Sequence, residues 1–124
     1  MPASISEPLS RLVRERLPSL EQIEIVLLLS AEPRGWNAVD VSQRLGTPPE
    51  STAMRLFLLA SNGVITFDSS AGIPQYRFSP DAVPAPLLAE LEEVHRTDRA
   101  ALAALVGGPA DPLRTFADAF RFKK

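Results

Sequence analysis

Residues Glu92 to Asp98, EEVHRTD, place the only histidine of the chain among three carboxylates, a grouping that general acid–base catalysis would use. Such chemistry needs the groups to converge in a sheltered site, whereas Glu92, Glu93, His95 and Asp98 follow one another as on a solvated helix face. A single imidazole cannot form the paired-histidine metal site of H-E-x-x-H, and His95 reads as a surface or interface side chain. The absence of cysteine removes disulfides, thiolate catalysis and cysteine-ligated zinc or iron–sulfur centres. Gly107-Gly108 follows a helix and no G-x-x-x-x-G-K occurs, so no phosphate-cradling loop is expected. The expectation is a protein that is not an enzyme and holds no cofactor and no metal.

The second chemical signal is PPESTAMRLFLLASNGVI, Pro48 to Ile65, where Arg55 stands in an otherwise apolar helical stretch. A guanidinium can give two parallel hydrogen bonds to guanine or to a phosphate. Charge elsewhere gives nucleic acid little help. Residues 1–17 carry three Arg against two acids, residues 18–79 four Arg against six acids, and residues 80–124 six basic residues against seven acids.

The elements that must position these groups can be read from caps and periodicity. At 124 residues with 45% hydrophobic content the chain fits one core. Its most apolar run, Ile25 to Leu29, is far shorter than the ~20 residues of a spanning helix, and the start MPASISEP lacks a secretory pattern, so no membrane partner and a cytoplasmic location are expected. Ser6 caps an arm helix with Pro8 in its first turn and Leu9, Leu12, Val13 and Arg16 on one face. Ser19-Leu-Glu-Gln22 forms a capping box for a second helix to about Ala31, buried on most sides. Asn37 caps a short helix, Ala38 to Leu45, closed by Gly46, and after GTPP a helix runs from Glu50 to Asn62, with Gly63 ending it. VITF and QYRFS, joined by DSSAGIP, read as a two-stranded hairpin. A proline-rich connector then leads to one long helix, Leu87 to Val106, with a seam at Leu87, Leu91, Val94, Asp98, Ala101 or Leu102, and Leu105. Asp111 caps a last helix whose stripe is Leu113, Phe116, Ala117 and Phe120.

The order helix, short helix, tight turn, helix, hairpin over Trp36 to Phe78 resembles bacterial winged helix-turn-helix transcriptional regulators, with WNAVDVSQRLGTPPESTAMRLFLLASNGVI carrying the likeness. The fold expected is mainly α with a small β-hairpin (α+β): an N-terminal arm helix (1–17), a winged helix-turn-helix domain (18–80) and a C-terminal helical extension (84–124). The resemblance implies Val41, Leu45, Leu56 and Leu59 in the core. It implies a DNA-binding regulator whose Pro48–Asn62 helix enters the major groove of double-stranded DNA while the 64–79 wing lies over the backbone. The positions that would then face DNA are Arg44, Glu50, Ser51, Met54, Arg55 and Arg77. Regulators of this architecture usually pair through an added helix, which implies a homodimer with Leu87, Leu91, Val94, Leu102, Leu105, Phe116 and Phe120 at the interface.

Two features depart from the family pattern. Phe57 and Leu58 stand where polar side chains are usual, and the wing loop has an acid and no base. Phe57 and Leu58 must therefore meet the arm, the long helix or a partner subunit, or else mark a protein partner's site. The alternative function is a winged-helix adaptor that binds protein and no nucleic acid.

Overall fold

The computed structural model describes residues 5–70 and 72–106. Helix α1 spans Glu7–Arg16, α2 Leu20–Ala31, α3 Ala38–Leu45 and α4 Pro49–Ser61. Strands β1 (Ile65–Asp68) and β2 (Gln75–Phe78) follow, then α5 (Ala85–Thr97) and α6 (Arg99–Val106). This is a winged helix-turn-helix of α+β class flanked by helices on both sides. Among the described residues no helix is long and apolar enough to cross a membrane.

Local chemistry sets the helix starts. The Ser6, Ser19 and Asn37 side chains accept hydrogen bonds from the backbone N–H groups of Leu9, Gln22 and Asp40, at 3.3, 3.1 and 2.8 Å. Each satisfies a donor that the first turn would otherwise leave open. Gly46 closes α3 at φ 68°, a left-handed backbone that turns the chain into α4 and that a residue with a Cβ adopts only under strain.

Strands β1 and β2 pair antiparallel in the register Ile65↔Phe78, Thr66↔Arg77, Phe67↔Tyr76 and Asp68↔Gln75. Side chains of directly opposed residues share a face, so Ile65, Phe67, Tyr76 and Phe78 lie on one side of the wing and Thr66, Asp68, Gln75 and Arg77 on the other. Trp36 extends the ladder by one bridge, its N–H donating to the Tyr76 carbonyl at 2.9 Å and its carbonyl accepting from the Tyr76 N–H at 2.7 Å. Its ring is fully buried and its Nε1 donates to the Glu32 carbonyl at 3.0 Å, so one residue fixes the wing to the end of α2.

One continuous core runs through the described chain. Leu9, Val13 and Leu17 from the arm, Ile23, Ile25, Val26 and Leu29 of α2, Val41, Leu56 and Leu59 of the helix pair, and Leu91, Val94 and Leu102 beyond the wing are all in it. Each fully buried aliphatic side chain contributes roughly 1.5–3 kcal/mol.

The single long helix expected over Leu87 to Val106 is corrected: the chain breaks at Asp98, with φ −152° and ψ 65°. Asp98 Oδ1 accepts from the Ala101 N–H at 3.2 Å and so caps a new helix. The break turns α6 back onto α1 and α2, and Leu102 becomes fully buried. Leu91, Val94 and Leu102, expected at a subunit interface, are 0, 3 and 0% exposed within one chain. They were expected outside because a seam read from spacing does not reveal whether its partner is another subunit or the chain's own arm. Leu87 and Leu105 pack on the same core and stay partly exposed. Phe116 and Phe120 lie outside the described residues.

Candidate interaction face on the recognition helix and wing

Helix α4 turns a buried side, with Thr52, Arg55, Leu56 and Leu59, toward the core. Its exposed side carries Glu50, Ala53, Met54, Phe57 and Ser61, which are spaced three and four apart. Arg55 is the only base on the helix and is only 6% exposed, so its expected outward position is corrected. Its Nε lies 3.5 Å from Glu21 Oε1 and its Nη1 donates to Gln22 Oε1 at 3.2 Å. Ser51, another expected DNA contact, donates from its hydroxyl to Glu21 Oε1 at 2.8 Å. Ser19 donates to Gln22 Oε1 at 2.8 Å. A polar network thus fixes the N-terminal half of α4 on α2. Polarity alone suggested solvent for Arg55; the carboxylate that draws it inward lies in a different helix. The capping-box residues Glu21 and Gln22 were the available signal, since a side chain beginning a buried helix is well placed to meet a neighbour.

The other expected contacts are scattered. Arg44 is half-exposed, ion-paired to Glu32, and stands 5.4 Å over the Trp36 ring. Arg34 covers the same ring at 3.5 Å and reaches Asp40 at 3.9 Å. Arg77 is exposed on the outer side of the wing, away from Phe67 and Tyr76. Glu50 is exposed, and Met54 is 45% exposed. The start of α4 offers few anion donors, because Pro48 and Pro49 have no N–H and Glu50 adds negative charge.

The face itself is apolar. The exposed large hydrophobic residues among those described are Val39, Met54, Phe57, Phe67 and Ile73. Phe57, at 61% exposed, is covered by no helix among the described residues, so of the expected alternatives neither the arm nor the α5–α6 segment covers it; Leu58 is half-buried. A groove of about 350 Å³ opens between Val39, Ala53, Ile73 and Pro74. A second, about 230 Å³, lies between Phe57 and Ala60 of α4 and Phe67 of the wing. Tyr76 lines both grooves, its ring 5.5 Å from that of Phe67, and burial pushes its hydroxyl pKa up from 10.0. Val39, Phe67 and Ile73 escaped the sequence reading, although an isoleucine between Gly72 and Pro74 in a polar loop is a signal of contact. Among the described residues no group of three or more His, Asp or Glu is placed to hold a metal ion.

No protein-family model and no curated protein matches the sequence at a significant level. Solved structures do. Lactococcus lactis ZitR, as its C30S mutant, superposes with a TM-score of 0.52 at 16% identity, over 81% of this chain and 68% of that one. Wild-type ZitR from the same organism, in complex with DNA, superposes with a TM-score of 0.52 at 14% identity, over 84% of this chain and 73% of that one. Likeness at such low identity establishes the shared winged-helix fold, and what the face binds rests on the residues it presents.

Proposed function

We propose that this chain is a small winged-helix transcriptional regulator that engages double-stranded DNA with α4 and the β1–β2 wing, acting as a dimer in the cytoplasm. The observation that supports this reading is the fold shared over 84% of the chain with a protein solved on DNA. In this reading Arg44 and Arg77 contact phosphate, while Ala53 and Met54 meet thymine methyl groups in the major groove. Two arginines per protomer make four phosphate contacts per dimer, so log K against log salt should have a slope of only about −3.6, shallower than strongly basic regulators show. The test is an anisotropy titration on the chain's own upstream DNA at two salt concentrations. No binding at about 50 mM salt, or binding indifferent to Arg44→Ala combined with Arg77→Ala, overturns it.

A second reading, a winged-helix adaptor that binds protein, is favoured by one specific observation: the exposed side of α4 carries Met54 and Phe57 and no base. It expects Leu58→Glu and Phe57→Glu to abolish capture of a partner while leaving the fold intact. Retention of every partner by both variants ends this reading.

A further inference from the structure

We infer that α4 selects its DNA by the methyl groups of thymine, with Ala53 and Met54 as the specificity-determining side chains, and that it makes no contact to guanine. This rests on the DNA-binding reading and names the class of duplex that reading leaves open.

In the major groove a guanine is most often read by an Arg or Lys bonded to its O6 and N7, and an adenine by the amide of Asn or Gln. The exposed side of α4, with Glu50, Ala53, Met54, Phe57 and Ser61, carries none of these four side-chain types. Arg55 is only 6% exposed and is held by Glu21 and Gln22. Asn62 caps the far end of the helix, where its Nδ2 donates to the Arg16 carbonyl at 2.8 Å. The Glu50 carboxylate only accepts hydrogen bonds, and the guanine edge offers acceptors as well, so the two repel. What remains on this side is apolar, and thymine alone among the four bases shows an apolar group there, its C5-methyl.

The rotation that turns Ala53 and Met54 outward is fixed by the residues on either side of them. Ser51 and Thr52 donate to the two carboxylate oxygens of Glu21 at 2.8 and 3.4 Å, Thr52 is fully buried, and Arg55 pairs with the same carboxylate. Ala53 and Met54 are both exposed, Met54 at 45%, and the unbranched thioether adapts to a methyl on either of two base steps. From Glu50 to Met54 the helix rises about 6 Å, close to two base steps of about 3.4 Å, so the carboxylate and the methyl readers lie over different base pairs. A purine edge placed under Met54 loses its water and gains no partner, so the wrong base is penalised as well as the right one rewarded.

The experiment titrates the full chain by anisotropy onto three versions of its own upstream duplex. One is unmodified, one carries deoxyuridine for every thymidine, which removes only the methyl, and one carries 7-deazaguanine for every guanine, which removes N7. A buried methyl is worth about fourfold in affinity, so losing those under Ala53 and Met54 should weaken binding to the deoxyuridine duplex at least about tenfold. The plot of log K against log salt should keep its slope, because the phosphate contacts are untouched. The 7-deazaguanine duplex should bind within about twofold of the unmodified one, since no side chain there reads N7. Met54→Gln should shrink the preference for thymidine over deoxyuridine by about fourfold and Met54→Leu should keep it, with circular dichroism and melting of both matching the parent. Equal affinity for the thymidine and deoxyuridine duplexes, a 7-deazaguanine loss as large as the deoxyuridine one, or a preference untouched by Met54→Gln overturns this inference and leaves DNA binding standing. No binding to any of the three at about 50 mM salt removes the DNA reading and this inference with it.

Discussion

Arg55 shows how one side chain can belong to the wrong surface in a linear reading. Its guanidinium is buried against Glu21 and Gln22, where it fixes the angle at which α4 leaves the core. Removing one member of a buried ion pair leaves the other desolvated without compensation. Arg55→Ala is therefore expected to lower the free energy of unfolding by about 3 kcal/mol, read from urea melts, with the unfolding slope unchanged. A solvent-facing base contact removed in the same way would alter stability by less than about 0.5 kcal/mol. The size of the loss decides between the two placements, and equal stability of variant and parent would return Arg55 to the surface.

Among the elements, those bounded by their own residues were legible in the sequence. Ser6, Ser19 and Asn37 mark helix starts, Gly46 and Gly63 mark helix ends, and the β-branched and aromatic runs mark the wing. The phase of α4 was only partly legible, because LFLL is apolar on every side and offers no polar edge from which to orient the helix. The break at Asp98 was visible as a polar residue inside an apolar seam, yet a cap and a tolerated seam carboxylate look alike until the backbone is seen. Asp98→Ala removes that cap and is expected to cost about 1 kcal/mol, lowering the melting temperature by roughly 4 °C. The same junction is tied to α2 by Glu24, which bonds His95 Nε2 at 3.0 Å and Arg99 Nε at 2.9 Å. Burial pushes the Glu24 carboxyl pKa up, but His95 and Arg99 outweigh it and hold the pKa below the ordinary 4.5. A carboxylate depressed in the folded state adds stability that is full above its unfolded pKa and is lost as pH falls through the folded one. Stability measured by urea midpoint should therefore drop as pH is lowered from about 5 to about 3, and Glu24→Gln should flatten that part of the curve.

On the scale of the whole molecule, each arginine of the winged half has an acidic neighbour: Arg34 has Asp40, Arg44 has Glu32, Arg55 has Glu21, and Arg77 lies near Asp68. The exposed side of α4 carries none of these bases, so Met54 and Phe57 offer apolar contact there beside the exposed Glu50. If the face meets DNA, each added cation there must displace counterions, whereas a face that meets only protein gains nothing from it. Phe57 separates these cases because its side chain is exposed and dispensable for the core. Phe57→Lys and Phe57→Glu should both lose a protein partner docked on this face in pull-downs. Only Phe57→Lys should bind duplex more tightly than the parent, with the plot of log K against log salt steeper by about 0.9 for each protomer bound. Phe57→Glu should bind more weakly, because a carboxylate facing phosphate repels it. Identical salt slopes for the two variants would mean that duplex DNA never approaches position 57, and would leave the wing and α4 as a surface for protein alone.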